Sequence, residues 1–505
     1  MFRSRLWLVR HPAPPALPTD SLPHRAVLPL AAAPWLLLLA ALLFVASFYQ
    51  RVLHGDEAWI GEQAYWAAKE GIVRSELFDG FLGAGTRQWV YHWLFVWQAA
   101  GVIRLVGWSA LVLKLISLTY LGIFALICRP HLRHYLATAA ARRLFWAVLL
   151  LNALVVEYGF VFRPEIMLMC LGFGSWVLLQ RWLHTGQTQW YQLVLAAALA
   201  GLAAATHLNG LIYLAAGAGL LAWRRQWSGG ALFATVGGAV FALCFLDVLV
   251  HDAWGTYLRQ FAPAIGGTKS GHGFALVLRA LAEHKRFFHS PLETALSLLV
   301  LAAAVALYRS RWRTPRLTDA TLYLLLLVVA LAALSQSKTT KYLVLYLPHL
   351  CLLVAAGFER LPARPGWVRG MLAVVLGFYV IVNGVYTGLL IGQHEDRVAR
   401  NQQLATQLSA YRNTCIVAPM HLVFNQIETF TIQGVTCYLV QAETRQQRPN
   451  GLMLFEEAAR SRRRLIVLDD HSLKDLNLPR PVAGGTYGGY RYAYRFHDYY
   501  IYKAL

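Results

Sequence analysis

Charged residues are scarce in this sequence, and cysteine is scarcer still. Only 14% of the 505 residues are Asp, Glu, Lys or Arg, and six are Cys. No cysteine spacing resembles that of a zinc or haem site. The formal net charge is +21, yet no soluble segment carries a basic stripe with interleaved aromatic residues. The sequence therefore disfavours nucleic acid as a partner.

Long apolar runs are what the sequence does contain. Hydrophobic residues make up 57% of the chain, and the mean hydropathy is +0.45. Runs near 20 residues recur, and a helix of that length crosses a hydrocarbon layer of about 30 Å. Inside lipid only helices and closed barrels satisfy their backbone groups, and these runs are too long for barrel strands. The sequence predicts an all-α polytopic membrane protein.

We predict about eleven transmembrane helices in this chain. They cover residues 29–48, 109–128, 144–161, 166–182, 190–206, 208–223, 231–250, 291–308, 319–334, 341–357 and 368–391. The apolar segment from Trp89 to Val106 carries His92 and Arg104. We interpret it as interfacial or re-entrant, because counting it as a span places the largest arginine clusters on opposite sides.

The arginines indicate how these helices are oriented. With eleven spans, one set of short loops collects Arg129, Arg133, Arg142, Arg143, Arg224, Arg225, Arg309, Arg311, Arg313, Arg316, Arg360, Arg364 and Arg369. Loops rich in Lys and Arg stay on the cytoplasmic side. The N-terminal tail, residues 1–28, is therefore expected inside. Loops 49–108 and 251–290 and the tail after residue 391 are expected outside.

The last segment, residues 392–505, alternates between apolar strand-like runs and helix-like stretches. The runs CIVAP, TCYLV and LIVLDD predict strands, residues 451–463 predict a helix, and aromatic alternation predicts β structure at the C-terminus. This pattern predicts a small soluble α/β domain. Cys415 and Cys437 each open a predicted strand in an oxidising compartment, so a disulfide between them is one possibility. It stays open, because the strand order is not known from the sequence.

An acidic pair follows the first apolar run, in the stretch HGDEAWIGEQAYWAAKEG, residues 54–71. The spacing of Trp59, Trp66 and Val73 predicts an amphipathic helix in the membrane interface, with Glu62 and Gln63 on another face. Asp56 and Glu57 then stand in its first turn. They have two interpretations: helix capping or acid–base catalysis.

Other polar residues are predicted on the same outer face. Arg163 and Glu165 lie in one tight turn, His207 in the next, and Lys338 and Lys341 in a third. Each has an ordinary structural explanation, such as an ion pair, a polar turn or a snorkelling lysine. As a set, a carboxylate loop facing three cationic turns suits an anionic lipid-linked substrate. Arg and Lys would hold its phosphate, and a carboxylate would accept a proton.

The acidic pair after the first span, with FRPEIMLM, THLNGLIYL and SKTTKYLVLYLPHLCLLVAAG in this order, resembles the GT-C glycosyltransferases. The similarity is to the protein-O-mannosyltransferase and aminoarabinose-transferase type, and it extends over about residues 30–390, within the predicted transmembrane domain, residues 29–391. It implies sugar transfer from a polyprenyl-phosphate-linked donor on the outer face, with inversion at the anomeric carbon. Membrane lipids surround such a protein. The acceptor stays open between a glycan, a lipid and a protein.

The resemblance also implies roles for individual residues. Asp56 matches the catalytic acidic position and Glu57 its neighbour. Arg163, Lys338 and Lys341 match cations near the lipid phosphate. Glu165, His92 and His207 are further substrate-site candidates, although VYHWLFVW lacks the proline that relatives have near His92. Some relatives hold a divalent metal at the acidic position and others do not, so the sequence leaves a metal cofactor open.

Two other functions remain compatible with the sequence: a transporter or flippase for a lipid-linked sugar, and a non-catalytic scaffold for envelope assembly. A transporter usually shows inverted repeats or Gly/Pro-broken spans, and we find neither in this sequence. A scaffold would tolerate replacement of Asp56. Short basic inside loops favour a bacterial inner membrane, with the C-terminal domain in the periplasm.

Overall fold

The structure is a computed structural model that describes residues 28–49, 51–185, 188–264, 281–308, 315–335, 338–361, 365–447 and 450–505. The predicted N-terminal tail lies outside these ranges except for Leu28. Residues 265–280 of the predicted outer loop also lie outside them, as do Arg309, Arg311, Arg313 and Arg364 of the predicted inside loops.

Helices form nearly all of the chain before residue 392. Those of its first half are α1 (Leu28–Ala31), α2 (Ala33–Ala46), α3 (Gly55–Glu70), α4 (Trp93–Val106), α5 (Ala110–Leu132), α6 (Ala139–Leu151), α7 (Ala153–Tyr158), α8 (Glu165–His184), α9 (Trp190–Thr206), α10 (Leu211–Trp223), α11 (Trp227–Ala242), α12 (Leu246–Val250) and α13 (Trp254–Ala264). Those that follow are α14 (His284–Phe287), α15 (Pro291–Tyr308), α16 (Pro315–Leu334), α17 (Leu347–Glu359) and α18 (Gly366–Gly392). Short 3₁₀ turns cover Glu76–Phe78, Leu208–Gly210, Leu243–Phe245 and Thr340–Leu345.

These helices confirm the polytopic all-α membrane fold. Within the described residues, five segments are long and apolar enough to cross a membrane: Ala110–Leu132, Glu165–His184, Trp227–Val250, Leu317–Leu334 and Gly366–Gln407. Six shorter apolar helices accompany them, Trp93–Val106 among them. The predicted span 144–161 is instead two helices, α6 and α7, because the Asn152 side chain caps α7 by accepting a hydrogen bond from the Leu154 N–H at 3.1 Å.

Small residues let the membrane helices pack closely. A Cβ on Gly201 of α9 would lie 2.4 Å from the carbonyl oxygen of Gly237 in α11. Such close backbone approach is how helices associate in a membrane, where lipid is as apolar as Leu. Leucines such as Leu126 (75% exposed) face outward from the bundle, as lipid-facing residues do. The tight packing of α9 sets the position of the turn at its end, which begins with His207.

Several loops meet at one end of the bundle. One cavity there is lined by residues from four of these places: Asp56 in the first turn of α3, Arg163 before α8, His207 after α9 and Lys341 before α17. The described turns that are rich in arginine, such as those after α5 and α10, lie at the ends of their helices that are away from the cavity. The chain therefore separates its polar cavity from its basic turns along the bundle axis.

The C-terminal segment forms a mixed six-stranded sheet with helices, which confirms the predicted small α/β domain. Its helices are α19 (Arg397–Gln407), α20 (Val423–Gln426), α21 (Val435–Thr444), α22 (Gly451–Arg460) and α23 (Asp470–Asp475), and 3₁₀ turns cover Ser409–Tyr411 and Met420–Leu422. Its strands are β1 (Cys415–Ala418), β2 (Thr431–Gly434), β3 (Leu465–Asp469), β4 (Thr486–Tyr487), β5 (Tyr490–Phe496) and β6 (Tyr499–Ala504). They lie in the order β2-β1-β3-β6-β5-β4. β1 pairs in parallel with β2 and β3, and the other pairs are antiparallel.

The run TCYLV was wrongly predicted as a strand. The strand β2 ends at Gly434, and Cys437 lies in the helix α21 that follows. Cys415 and Cys437 are both free thiols, so the structure does not contain the disulfide that the sequence left open. A short apolar run in a buried place fits either a strand or a helix, and its periodicity cannot distinguish them.

The C-terminal domain packs directly against α3 and the residues around it. One hydrophobic cluster contains residues of α3, α4 and α5 together with residues of β1, β2, β3 and β6. The Phe424 ring stacks on Trp108 with centroids 5.7 Å apart. Asp79 accepts hydrogen bonds from Arg463 at 2.8 Å and, at its carbonyl, from Gln433 at 2.8 Å. The domain therefore shares a core with the loop that carries Asp56.

We expect Phe424→Ala to destabilise the protein by about 3–5 kcal/mol, because Phe424 is 4% exposed and its loss leaves a cavity beside Trp108. Thermal unfolding of the purified protein in detergent measures this change. Val482→Ala is the control, since Val482 is 72% exposed. Equal melting temperatures for the two variants would contradict a shared core.

Candidate active site

Local hydrogen bonds determine where α3 begins. The His54 side chain accepts from the Asp56 N–H at 3.2 Å, and Glu57 accepts from the His54 N–H at 2.8 Å. This reciprocal arrangement is a capping box. The Asp56 carboxylate takes no part in this capping box. The helix-cap interpretation therefore applies to Glu57 and His54 rather than to Asp56.

Glu57 is fully buried and does not line the cavity. Its Oε1 accepts from the Phe162 N–H at 2.7 Å. Its Oε2 lies 3.8 Å from the Lys114 Nζ. These contacts tie the start of α3 to the turn before α8 and to α5. The predicted catalytic neighbour of Asp56 is thus built into the scaffold.

Arg163 lies between two carboxylates. Its Nη1 forms an ion pair with Asp56, and its Nη2 donates to Glu165 Oε1 at 2.9 Å. The Arg163 side chain is 7% exposed and that of Glu165 only 2%, whereas the Asp56 carboxylate is 41% exposed. A buried guanidinium needs such partners, because desolvation of an unpaired charge is costly. Arg163 thus orients the Asp56 carboxylate, which stays accessible from the cavity.

Two histidines and a tyrosine line the cavity beside this cluster. The rings of His92 and His207 stack with centroids 4.9 Å apart, and Tyr342 lies next to His207. The His207 Nδ1 accepts from the Asn209 N–H at 3.0 Å, so its Nε2 faces the Tyr342 hydroxyl at 3.4 Å. Burial lowers the pKa of His92 to about 4 and that of His207 to about 3. Both rings are therefore neutral at neutral pH.

The two predicted lysines have different environments. Lys341 lines the cavity with Asp56 and Arg163. Lys338 does not line it, and instead its Nζ lies 2.8 Å from Glu283 Oε2. Glu283 also binds Arg286 at 2.8 Å. Of the two predicted lysines, Lys341 therefore lines the cavity and Lys338 lies outside it.

The cavity has a volume of about 510 Å³. Of the predicted residues, it brings together Asp56, His92, Arg163, His207 and Lys341. The cavity is also lined by residues that were not predicted as site residues from the sequence: Trp59, Ile60, Gln63, Trp89, Tyr91, Trp93, Tyr257 and Tyr342. One signal for some of them was present in the sequence. Trp59, Ile60 and Gln63 follow Asp56 at i+3, i+4 and i+7, which is one face of a helix.

Glu62 and Gln63 are buried, contrary to the predicted solvent-facing polar face of α3. Glu62 accepts from the Ser75 hydroxyl at 2.6 Å and from the Glu76 N–H at 2.6 Å. It thereby holds the 3₁₀ turn Glu76–Phe78 against α3. At the other end of α3, Arg104 donates to the Ala68 and Ala67 carbonyls at 2.8 and 3.0 Å, which satisfies the open end of the helix.

The described residues do not fit a divalent metal at Asp56. No three His, Cys, Asp or Glu side chains form a metal-binding group among them. Asp56 and Glu165 already share the Arg163 charge, and hard cations such as Mg²⁺ favour oxygen ligands without a competing cation.

Solved structures with a similar fold are membrane proteins of one superfamily. ArnT from Cupriavidus metallidurans, bound to undecaprenyl phosphate, has a TM-score of 0.59 and 15% identity over 93% of this chain and 98% of that chain. Its apo state gives the same TM-score and identity over 94% of this chain. The Archaeoglobus fulgidus oligosaccharyltransferase tethered with an acceptor peptide has a TM-score of 0.51 and 11% identity over 86% of this chain and 69% of that chain.

A scan against protein-family models and a search of the curated proteins found no match. The structural likenesses show the fold: this chain has the GT-C fold of those transferases. The predicted resemblance is therefore confirmed at the level of fold.

The buried Glu62 predicts a pH dependence of stability. Desolvation raises its pKa from 4.5 to about 7, despite hydrogen bonds from Ser75 and Trp66. The folded protein then keeps a proton that the unfolded chain loses at lower pH, so stability falls as the pH rises from about 4.5 to about 7. We expect Glu62→Gln to lack this component of the loss in thermal unfolding scans.

Glu70→Gln is the matched control on the same helix. Glu70 is exposed, and its hydrogen bond with Arg74 lowers its pKa. This variant should keep the wild-type decline over that pH range. If Glu62→Gln declines as steeply as wild type, the titration is not that of Glu62.

Proposed function

We propose that this protein is a membrane glycosyltransferase that moves a sugar from a polyprenyl-phosphate-linked donor to an acceptor, with inversion. The observation that carries the proposal is the single cavity that joins the Asp56 carboxylate to Arg163 and Lys341. The GT-C fold supports it, since a solved structure of that fold, ArnT, is bound to undecaprenyl phosphate. The acceptor is a glycan, lipid or protein that presents a nucleophile.

In the proposed reaction, Asp56 is the general base. Its carboxylate accepts the proton of the acceptor hydroxyl or amine as the nucleophile attacks the anomeric carbon. The bond from that carbon to the phosphate oxygen breaks, and its electron pair stays on the polyprenyl phosphate. A single displacement needs one base and no second carboxylate, whereas a retaining glycosidase needs two carboxyl groups about 5–5.5 Å apart. The burial of Glu57 away from the cavity agrees with a one-base mechanism.

The cations act on the leaving group and on the base. Lys341 lines the cavity and would bind the phosphate oxygens, which gain charge as the bond breaks. Arg163 binds Asp56 and Glu165 together, so it orients the base and adds positive charge beside the phosphate. The neutral His207 and the Tyr342 hydroxyl offer further donors at the same wall.

We propose that the cavity opens at the outer face of the membrane. The support is the positive-inside rule, because the turns at the cavity end hold few arginines while those at the other end hold many. The N-terminus then lies in the cytoplasm and the C-terminal domain in the periplasm of a bacterial inner membrane. The C-terminal domain, residues 392–505, would support the loop 49–108 that carries Asp56.

We expect Asp56→Asn to lower kcat by at least about a hundredfold, because the amide cannot accept the acceptor's proton. The measurement is release of undecaprenyl phosphate by the purified protein from a panel of undecaprenyl-phosphate sugars. Glu70→Gln, the same carboxylate-to-amide change on the exposed end of α3, should retain activity. A folded Asp56→Asn variant with wild-type kcat would rule out Asp56 as the base and favour the scaffold interpretation.

The two lysines form a matched pair for phosphate binding. We expect Lys341→Ala to weaken undecaprenyl phosphate binding about tenfold to a hundredfold, the effect of losing a charge-assisted hydrogen bond. Lys338→Ala should change binding much less, because Lys338 pairs with Glu283 outside the cavity. Titration of undecaprenyl phosphate in detergent gives both dissociation constants. A larger loss for Lys338→Ala would contradict the assignment of Lys341.

A further inference from the structure

Gln63 carries a buried amide that has no hydrogen-bond partner among the described residues. The residue is 1% exposed and lines the cavity. Neither its Oε1 nor its Nε2 has a hydrogen bond within the part of the chain that the structure describes. A buried polar group left unpaired costs about 1–3 kcal/mol, and native proteins rarely tolerate one without a reason. A molecule bound in the cavity can supply the missing partners of this amide.

Gln63 shares a helix face with the proposed base. Asp56 and Gln63 are seven residues apart in α3, which is two turns, or about 10.5 Å along the helix axis. Trp59 lies between them on the same wall, and its indole Nε1 also lacks a partner among the described residues. The wall from Asp56 to Gln63 thus carries three polar groups that are unpaired or open to the cavity.

Among the described residues, charge lies at the Asp56 end of this wall. The charged side chains of that part of the chain that line the cavity are Asp56, Arg163 and Lys341. Arg163 forms an ion pair with Asp56 and has a Coulombic interaction with Lys341. The rest of the described lining carries no Asp, Glu, Lys or Arg and is rich in aromatic residues, among them Trp89, Tyr91, Trp93 and Tyr257. A neutral amide with aromatic walls suits an uncharged group that bears hydroxyls rather than a phosphate.

The Gln63 amide offers two N–H donors and one acceptor oxygen. A sugar ring presents neighbouring hydroxyls, each of which both donates and accepts. We propose that Gln63, with the Trp59 indole, binds the hydroxyls of a sugar ring and determines sugar specificity, an inference that rests on the proposed function. A site built to hydrogen-bond hydroxyls rejects analogues that lack them, because its own groups are then left unpaired. The ring belongs either to the donor or to a glycan acceptor.

The test compares Gln63→Leu with Gln403→Leu, the same change at an exposed position of α19. Transfer and acceptor-free hydrolysis are measured with a panel of undecaprenyl-phosphate sugars, and binding with undecaprenyl phosphate, which has no sugar. We expect Gln63→Leu to lower kcat/KM for transfer at least about tenfold, as two lost hydrogen bonds imply. Its affinity for undecaprenyl phosphate and its fold should match those of Gln403→Leu.

The proposal and a structural role for Gln63 predict different melting temperatures. Under the proposal, Leu at a position where both amide atoms are unpaired should leave the melting temperature unchanged or raise it. A structural role predicts a lower melting temperature. A lower melting temperature with kcat/KM lost in proportion to the folded fraction would overturn the proposal. Wild-type kcat/KM in Gln63→Leu, on every donor that the wild-type protein uses, would also overturn it.

The panel separates the two sources of the sugar. If Gln63→Leu slows acceptor-free hydrolysis and raises the KM for the donor, the ring is that of the donor. If hydrolysis is unchanged and only transfer falls, the ring is that of the acceptor. A wild-type protein that binds no undecaprenyl phosphate and turns over no donor in the panel would overturn the proposed function itself, and this inference with it.

Discussion

The ion pairs of the buried Arg163 guanidinium position the residues at the polar end of this protein. Arg163 is almost fully buried, and its charge is tolerable only because Asp56 and Glu165 both contact it. Removing one partner of a buried ion pair typically costs about 3–5 kcal/mol. The pairing joins the turn before α8 to the start of α3. It therefore sets where the Asp56 carboxylate points within the cavity.

The turn that carries Arg163 is itself held by polar contacts to its neighbours. Ser117 of α5 donates to the Val161 carbonyl at 2.6 Å, and Glu57 accepts from the Phe162 N–H at 2.7 Å. These bonds fix backbone rather than side chains. A carboxylate with a catalytic role gains from such a support, because a group held by packed and hydrogen-bonded neighbours loses little freedom when the substrate arrives.

The C-terminal domain belongs to the same support. Its strands share one hydrophobic cluster with α3 and α4, and Asp79 of the loop 49–108 is bonded to Arg463. The helix that carries Asp56 is thus packed between the membrane helices and a folded domain. Together with the Arg104 contacts at its C-terminus, this makes α3 a fixed wall of the cavity. The domain supports the site, and none of its described residues lines the cavity.

The structure places some of the predicted site residues in one cavity and keeps others out of it. Arg163, His207 and Lys341 were assigned to one face from the order of the apolar runs, and the structure gathers them in one cavity. Glu57 was assigned as the neighbour of Asp56, and Lys338 was assigned together with Lys341 because both lie in one predicted outer turn. On a helix, adjacent residues point about 100° apart, so Glu57 turns into the scaffold while Asp56 faces the cavity. Lys338 instead meets Glu283, a partner 55 residues away along the chain.

The sequence by itself determined the membrane fold, the alternation of strand and helix in the last segment, and the end of the bundle where the polar residues meet. These features follow from hydropathy and local periodicity, which any stretch of about 20 residues carries within it. The tertiary structure alone decided that Glu62 and Gln63 are buried, that TCYLV is helical and that Gln63 lines a cavity without a hydrogen-bond partner among the described residues. Burial and partnership depend on residues far away in the chain, and the folded packing of α3 against the bundle and the C-terminal domain brings those residues together.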